Sequence, residues 1–224
     1  AELGKQVYAV PEKIPSKTAS LIEPFTVGCR AARRSFPHQE ERAIVFGAGT
    51  IGIAAAIALK YFECVQVMVC DLSDFRLEKA RALGFMTCNS KKENLQRTAA
   101  RYFGEAVSAL GMTADVDIYI DAAGADGIIE TYQSMGKVDS RMVVVAVKAG
   151  LRPIDVLAMT YGQHALIGSG GYMPEDVADV IAMMESGKWN IASIITHEYP
   201  WEELPQAIKK AGNVEEALNV VIRY

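Results

Sequence analysis

An apolar run, Ala43 to Phe46, leads directly into Gly47-Ala48-Gly49-Thr50-Ile51-Gly52, and an aspartate, Asp71, follows 19 residues after the last of these glycines. This is the spacing of a buried strand, a tight turn, a helix and a second strand that ends in a carboxylate. Each glycine has a separate task. Gly47 permits the turn, Gly49 leaves the backbone open to close approach, and Gly52 lets the new helix lie against the sheet. The first free N–H groups of that helix, near Thr50 and Ile51, then face outward with the positive end of the helix dipole behind them. Such a turn holds a diphosphate without needing a basic side chain, and Asp71 stands where a ribose would follow.

The surroundings support the motif. Residues 53–62, IAAAIALKYF, are good helix formers, and Val65 to Cys70 reads as a β-branched strand that stops at Asp71. Ala43 to Leu59 carries no charge over 17 residues, which is short of the roughly 20 needed to cross a bilayer, and its glycines sit at turn spacing. With no basic start followed by an apolar segment and a cleavage site, the chain reads as soluble.

Strand-like and helix-like segments then alternate. A helix from Ser73 to Leu83 stops at Gly84, a strand covers Phe85 to Cys88, and a polar helix is expected from Glu93 to Leu110. Strands at Val116 to Ala122, Met142 to Val147 and His164 to Gly168 follow, with helices at Ile128 to Met135 and Glu175 to Ser186. This order predicts an α/β fold, a Rossmann-type doubly wound six-stranded parallel sheet with ligands bound at the carboxyl ends of its strands. The ends do not fit the alternation. Val7 to Val10 reads as a short strand, with Pro11, Pro15 and Pro24 marking loops. Ile194 to Tyr199, Glu202 to Ala211 and Asn219 to Ile222 read as a strand, a helix and a strand outside the sheet. Both ends look like pieces of a second domain, and the first residue is not methionine, so the chain is expected to be a cut or processed product.

The formal net charge of −4, with no long Lys/Arg run, gives no reason to expect nucleic acid. The four cysteines, Cys29, Cys64, Cys70 and Cys88, form no C-x-x-C pair, so core packing in a reducing cytoplasm is the expectation. His38, His164 and His197 are isolated, none at ligand spacing to another His or Cys.

Ordered motifs now carry a resemblance: LIEPFTVGCRA (21–31), VFGAGTIG (45–52), CDLSDFRLEKARALG (70–84), IDAAG (120–124), VVVAVKAG (143–150) and ITHEYPWEELPQAI (195–208). The whole chain resembles the C-terminal two-thirds of the medium-chain, zinc-type alcohol dehydrogenases, nearest the sorbitol, threonine and butanediol dehydrogenase branch. It departs from that family at Phe36 to Glu40, where a Gly-Asp turn is usual, and at Leu218-Asn219, where Gly-Lys is usual. The resemblance implies residues 1–25 as a remnant of a GroES-like catalytic domain and linker, 26–190 as an NAD-binding domain, and 191–224 as the return to the incomplete catalytic domain.

By the same resemblance Asp71 accepts hydrogen bonds from the adenosine ribose with Arg76 beside it, and the carboxylate favours NAD over NADP because a 2′-phosphate would meet like charge. A purely local role for Asp71, capping the turn after its strand, stays open. Leu72, Ala122 and Ala123 would flank the adenosine, and Val27, Ile51, Val145 and Val147 would border the nicotinamide, although core packing explains these apolar positions equally well. Glu23 takes the position of a direct or water-mediated zinc ligand, whereas the family's other ligands and its four-cysteine zinc lobe have no counterpart in these residues. The implied parent oxidises a secondary alcohol or polyol with NAD and zinc, while this chain alone binds NAD without turnover and assigns no catalytic residue. A homodimer through Ile167 to Tyr172 is implied, with no membrane partner. Two other classes remain, a non-catalytic nucleotide-binding or sensing module and an S-adenosylmethionine-dependent methyltransferase. Phe46, standing where the latter commonly carries a carboxylate, argues against it.

Overall fold

The computed structural model describes residues 7–64 and 66–224. Residues 1–6 of the expected N-terminal segment, and Val65 at the start of the expected second strand, lie outside the described residues. The strand expected at Val7 to Val10 is not formed, since only Val7 makes an isolated bridge. One helical turn, α1 (Ser16–Ala19), precedes α2 (Ile22–Arg34). Pro24, read as a loop marker, instead sits in the first turn of α2, where a missing N–H removes no helix bond. This helix runs unbroken through residues 25 and 26.

The first half of the sheet follows the glycine motif: β1 (Arg42–Phe46), α3 (Thr50–Tyr61), β2 (Gln66–Asp71), α4 (Asp74–Ala82), β3 (Met86–Asn89) and α5 (Leu95–Phe103). The helix expected to reach Leu110 ends at Phe103. Gly104, at φ +87°, stops it, and the chain turns into an antiparallel hairpin of β4 (Glu105–Ser108) and β5 (Gly111–Ala114). The Val107 carbonyl accepts from the Val138 amide at 3.0 Å, so tertiary docking overrides the helix propensity of Ala106 to Met112. The second half is β6 (Ile118–Asp121), α6 (Ile128–Met135), β7 (Arg141–Val144), α7 (Val156–Gly162), β8 (Ala165–Gly168) and α8 (Pro174–Glu185). Helix α7, which no periodicity announced, is capped by Asp155, whose carboxylate accepts from the Leu157 and Ala158 amides. The chain closes with β9 (Ile195–Pro200), α9 (Leu204–Ala211) and β10 (Asn219–Arg223), a separate parallel pair of strands and a helix.

The strand order β3-β2-β1-β6-β7-β8, parallel throughout, is that of a doubly wound sheet. Its order reverses between β1 and β6, where such sheets open a crevice at their carboxyl ends. Alternate residues divide the core. Ala43, Val45, Val69 and Ile120 face α2, α3, α4 and α8, while Ile44, Met68, Tyr119 and Met142 face α5 and α6. Helices α2 and α3 touch through Gly28, where an added Cβ would lie 2.6 Å from the Ala54 Cβ. An ion-pair cluster fastens α8 to α2: the fully buried Asp176 carboxylate accepts from Arg33 Nε at 2.7 Å and from the Met173 amide at 2.8 Å.

All four cysteines are free and buried. Burial pushes the Cys29 and Cys64 thiols up to about 12. Among the described residues no helix is long and apolar enough to cross a membrane.

Candidate functional site

The site is built where β1 and β2 end side by side, with Phe46 in register with Cys70. The Gly47 amide donates to the Cys70 carbonyl at 2.7 Å, holding the turn to its neighbour strand. Gly47 has φ +101°, and a Cβ there would also lie 3.2 Å from the Ala122 backbone. At Gly52 a Cβ would fall 1.8 Å from the Gly47 carbonyl oxygen, so the helix closes on the turn as only glycine allows. Gly49 differs from both. The nearest atom to its added Cβ is Arg76 Nη1 at 3.9 Å, so the fold itself does not require glycine there. Gly49 is the N-cap of α3, no side chain caps that end, and the Ile53 amide is bonded back to the Gly49 carbonyl at 2.9 Å. The amides of Thr50, Ile51 and Gly52 therefore head a twelve-residue helix without a side-chain acceptor.

Asp71 closes the other side of the turn. Its Oδ2 accepts from the Ala48 amide at 2.6 Å, and its Oδ1 accepts from the Leu72 and Ser73 amides at 2.7 and 2.9 Å. The carboxylate thus performs the local capping role and also binds the two turns together. It lines a cleft of about 720 Å³ with Gly47, Leu72, Arg76 and Ala123. Arg76 reaches from α4 toward Gly49, and its Nε is buried with no hydrogen-bond partner among the described residues. A guanidinium thus stands at the mouth of a turn that, from sequence, needed none.

Gly49, Thr50 and Gly52 of the turn are not among the residues that line this cleft, and neither are several other expected residues. Val27, Ile51 and Ala122 pack half-buried against the core on the α2–α3 side, which Val145 joins as a buried member. Val147 is fully exposed in the segment after β7. Glu23 is exposed in the first turn of α2. Among the described residues no three His, Cys, Asp or Glu side chains gather as a metal site. His164 is buried against the Tyr132 ring, 4.9 Å between centroids, and His197 sits beside Thr196 Oγ1 at 3.0 Å.

The cleft also takes residues that motif reading missed. Ser90, Lys91, Glu93 and Asn94 follow β3, and Asp126, Ile128 and Thr131 follow β6. The rule that ligands meet the carboxyl ends of strands could have pointed to these loops. Val214 and Glu215 arrive from the last loop of the chain, and no sequence signal places them there. Ser73 Oγ shares its one proton between the Val214 carbonyl at 3.3 Å and Glu215 Oε2 at 3.2 Å. Asn219 Nδ2 donates to Thr50 Oγ1 at 2.7 Å, tying β10 to the start of α3. At the end of β6 the buried Asp121 accepts from the Ala123 and Gly124 amides at 3.0 and 2.7 Å, which shapes the opposite wall.

Comparison with known proteins places these features in context. Residues 50–186 match the family model for zinc-binding dehydrogenases. The chain is 30% identical over 203 residues to L-threonine 3-dehydrogenase of Proteus mirabilis (strain HI4320), covering 88% of this chain and 55% of that protein. It superposes on L-idonate 5-dehydrogenase from Escherichia coli str. K-12 substr. MG1655 with a TM-score of 0.84 at 20% identity, covering 98% of this chain and 60% of the other. It is also similar to a short chain alcohol dehydrogenase (rspB) from E. coli CFT073 complexed with cofactor NADH, with a TM-score of 0.82 at 22% identity over 97% of this chain and 62% of the other. The chain therefore spans little more than half the length of the proteins it matches.

Proposed function

This chain belongs to the zinc-binding dehydrogenase family, and from that premise we propose that it is the dinucleotide-binding portion of an alcohol or polyol dehydrogenase and takes NAD. The observation that carries the reading is the joined pair of turns. Gly47 to Gly52 presents uncapped helix amides, and Ala48 bonds that loop to the Asp71 carboxylate at the edge of the cleft. The residues present fit the ligand. The open face at Gly49 admits a diphosphate, the unpartnered Nε leaves Arg76 free to meet its charge, and the cleft between the ends of β2 and β6 has room for adenosine. When bound, the nicotinamide supplies the hydride acceptor. This chain's residues bind the diphosphate, orient the ribose and hold the adenosine, with Leu72 and Ala123 on its flanks.

In the full enzyme a secondary alcohol or polyol would be the substrate, and zinc would belong to a site to which Glu23 contributes. Glu23 stands exposed in the first turn of α2, and on this reading the chain by itself binds NAD without turning over alcohol. We assign residues 26–190 to the NAD-binding domain, with 1–25 and 191–224 belonging to the catalytic domain. A homodimer through Ile167 to Tyr172 uses the edge strand β8, whose outer side is unpaired in the described sheet. Four buried cysteines, all free, suit a cytoplasmic setting.

Thermal denaturation with added nucleotides tests the reading. NAD at a hundred times its dissociation constant stabilises the native chain by about 2.7 kcal/mol, whereas S-adenosylmethionine leaves the midpoint unchanged. Stabilisation by S-adenosylmethionine alone would overturn it. NADH production from a polyol panel by this chain with zinc would overturn the claim that it binds without turnover.

A further inference from the structure

We propose that Glu215, carried to the cleft by the last loop of the chain, is a second ribose-reading carboxylate and a specificity-determining residue against 2′-phosphorylated dinucleotides. The proposal rests on the reading of this cleft as an NAD site and goes beyond it, because that reading placed the choice on Asp71 alone. Asp71 is heavily committed. Its two oxygens already accept three backbone N–H bonds, from Ala48, Leu72 and Ser73, and a carboxylate offers about four acceptor positions. One position is left for a ribose that presents two hydroxyls. A second acceptor is needed in the same place.

Glu215 meets that need by geometry. It lines the cleft together with Asp71, Leu72, Ser73 and Arg76. Ser73 joins the two carboxylates, its amide donating to Asp71 Oδ1 at 2.9 Å and its hydroxyl to Glu215 Oε2 at 3.2 Å. Among the described residues no hydrogen bond reaches Glu215 Oε1, while its backbone amide donates to Asn213 Oδ1 at 3.2 Å. The loop that carries it is anchored on both sides of the residue. Ser73 also holds the Val214 carbonyl, the buried Ala217 bonds back to the Asn213 carbonyl at 2.9 Å, and Asn219 is tied to Thr50 at 2.7 Å.

The cations of the cleft do not cancel this arrangement. Arg76 Nη1 lies 3.9 Å from the place a Gly49 side chain would occupy, which puts its charge at the diphosphate end. Lys91 is exposed on the loop after β3. A free ribose diol therefore finds two acceptors on either side of Ser73. A 2′-phosphate finds two like charges and loses a donor that either carboxylate could use.

Calorimetric titration of the full chain with NAD and with NADP, using the native sequence, Glu215→Gln and Glu215→Lys, tests the proposal. Thermal midpoints are recorded in parallel, and these exposed substitutions leave them unchanged. The expected result is that Glu215→Gln weakens NAD about tenfold, the scale of one charged hydrogen bond, while NADP is weakened less or gains. Glu215→Lys moves the NAD-to-NADP ratio further in the same direction. If the native chain binds NAD and neither substitution moves that ratio, Glu215 has no role in selectivity and the NAD assignment stands. If the native chain binds neither dinucleotide, the proposal and the assignment fall together.

Discussion

The backbone amide of Ala48 donates to Oδ2 of Asp71 over 2.6 Å, so the turn that leaves β1 is bonded to the carboxylate that ends β2. One residue thereby holds the shape of the glycine turn and, in the proposed function, also marks the ribose. Structure and the proposed recognition share the same oxygen atoms, so changing Asp71 tests both.

Asp71→Asn keeps the shape of the side chain and removes its charge, and its amide group would face a backbone N–H that needs an acceptor. A loss of about 1.5–3 kcal/mol in stability is expected, the range for hydrogen bonds to a charged group. NAD affinity falls at least about tenfold and the preference over NADP narrows. Urea denaturation and nucleotide titration measure the two effects separately. Unchanged stability would mean that the three amide bonds carry little weight.

The glycines of the turn separate by consequence. Gly52→Ala drives a Cβ to within 1.8 Å of the Gly47 carbonyl oxygen, which α3 can relieve only by moving; a loss of about 1–3 kcal/mol is expected. Gly49→Ala meets nothing closer than 3.9 Å, so stability stays within about 0.5 kcal/mol. Equal thermal midpoints for the two variants would contradict the packing described for the turn.

Removing the buried carboxylate that joins α8 to α2 takes an acceptor from each of its partners. Asp176→Ala leaves Arg33 Nε without its acceptor while Asp179 still holds Nη2, leaves Arg30 with Glu175 alone at 3.7 Å, and uncaps the Met173 amide. Arg33 remains a third exposed, so the loss falls at the low end for a broken buried pair, about 3 kcal/mol. The change in urea midpoint reads it directly, and a shift of under about 1 kcal/mol would place the pair among weak surface bridges.

Two thiols set a pH dependence. Unfolded Cys29 and Cys64 ionise near their ordinary value of 9.0, whereas in the fold burial pushes both up to about 12. Below pH 9 both states keep these protons, so the thiols add no slope. Between pH 9 and 12 the unfolded chain binds fewer protons than the native one, and stability falls by up to about 1.4 kcal/mol per pH unit for each thiol. Replacing both by alanine lowers stability at neutral pH and flattens the alkaline fall. Urea midpoints at pH 8.5 and 10.5 compare the slopes, and parallel slopes would contradict the account.

The parallel sheet was legible because its strands announce themselves locally. Ala43 to Phe46 and Ile118 to Ile120 are continuous apolar runs bounded by turn or polar residues, as strands buried on both faces require. The hairpin at Glu105 to Ala114 was not legible, since Ala106, Ala109 and Leu110 read as helix formers and only the docking of Val107 against Val138 selects strands. Pro24 misled in the same way, because proline marks a loop or a first helical turn with equal ease. At the site, Gly47 and Asp71 follow from spacing within one strand–helix–strand unit, and Leu72 from the family resemblance. Val214 and Glu215 reach the same cleft only through the return of the terminal loop, which no local pattern encodes.

Calorimetric titration of NAD into the native chain and into Gly49→Ala tests the central claim most directly. The account predicts saturable one-to-one binding to the native chain, and loss of at least about 1.4 kcal/mol of binding free energy, a factor of ten, in a variant whose thermal midpoint is unchanged. No heat of binding at millimolar NAD, or equal affinity in the two proteins, would contradict it.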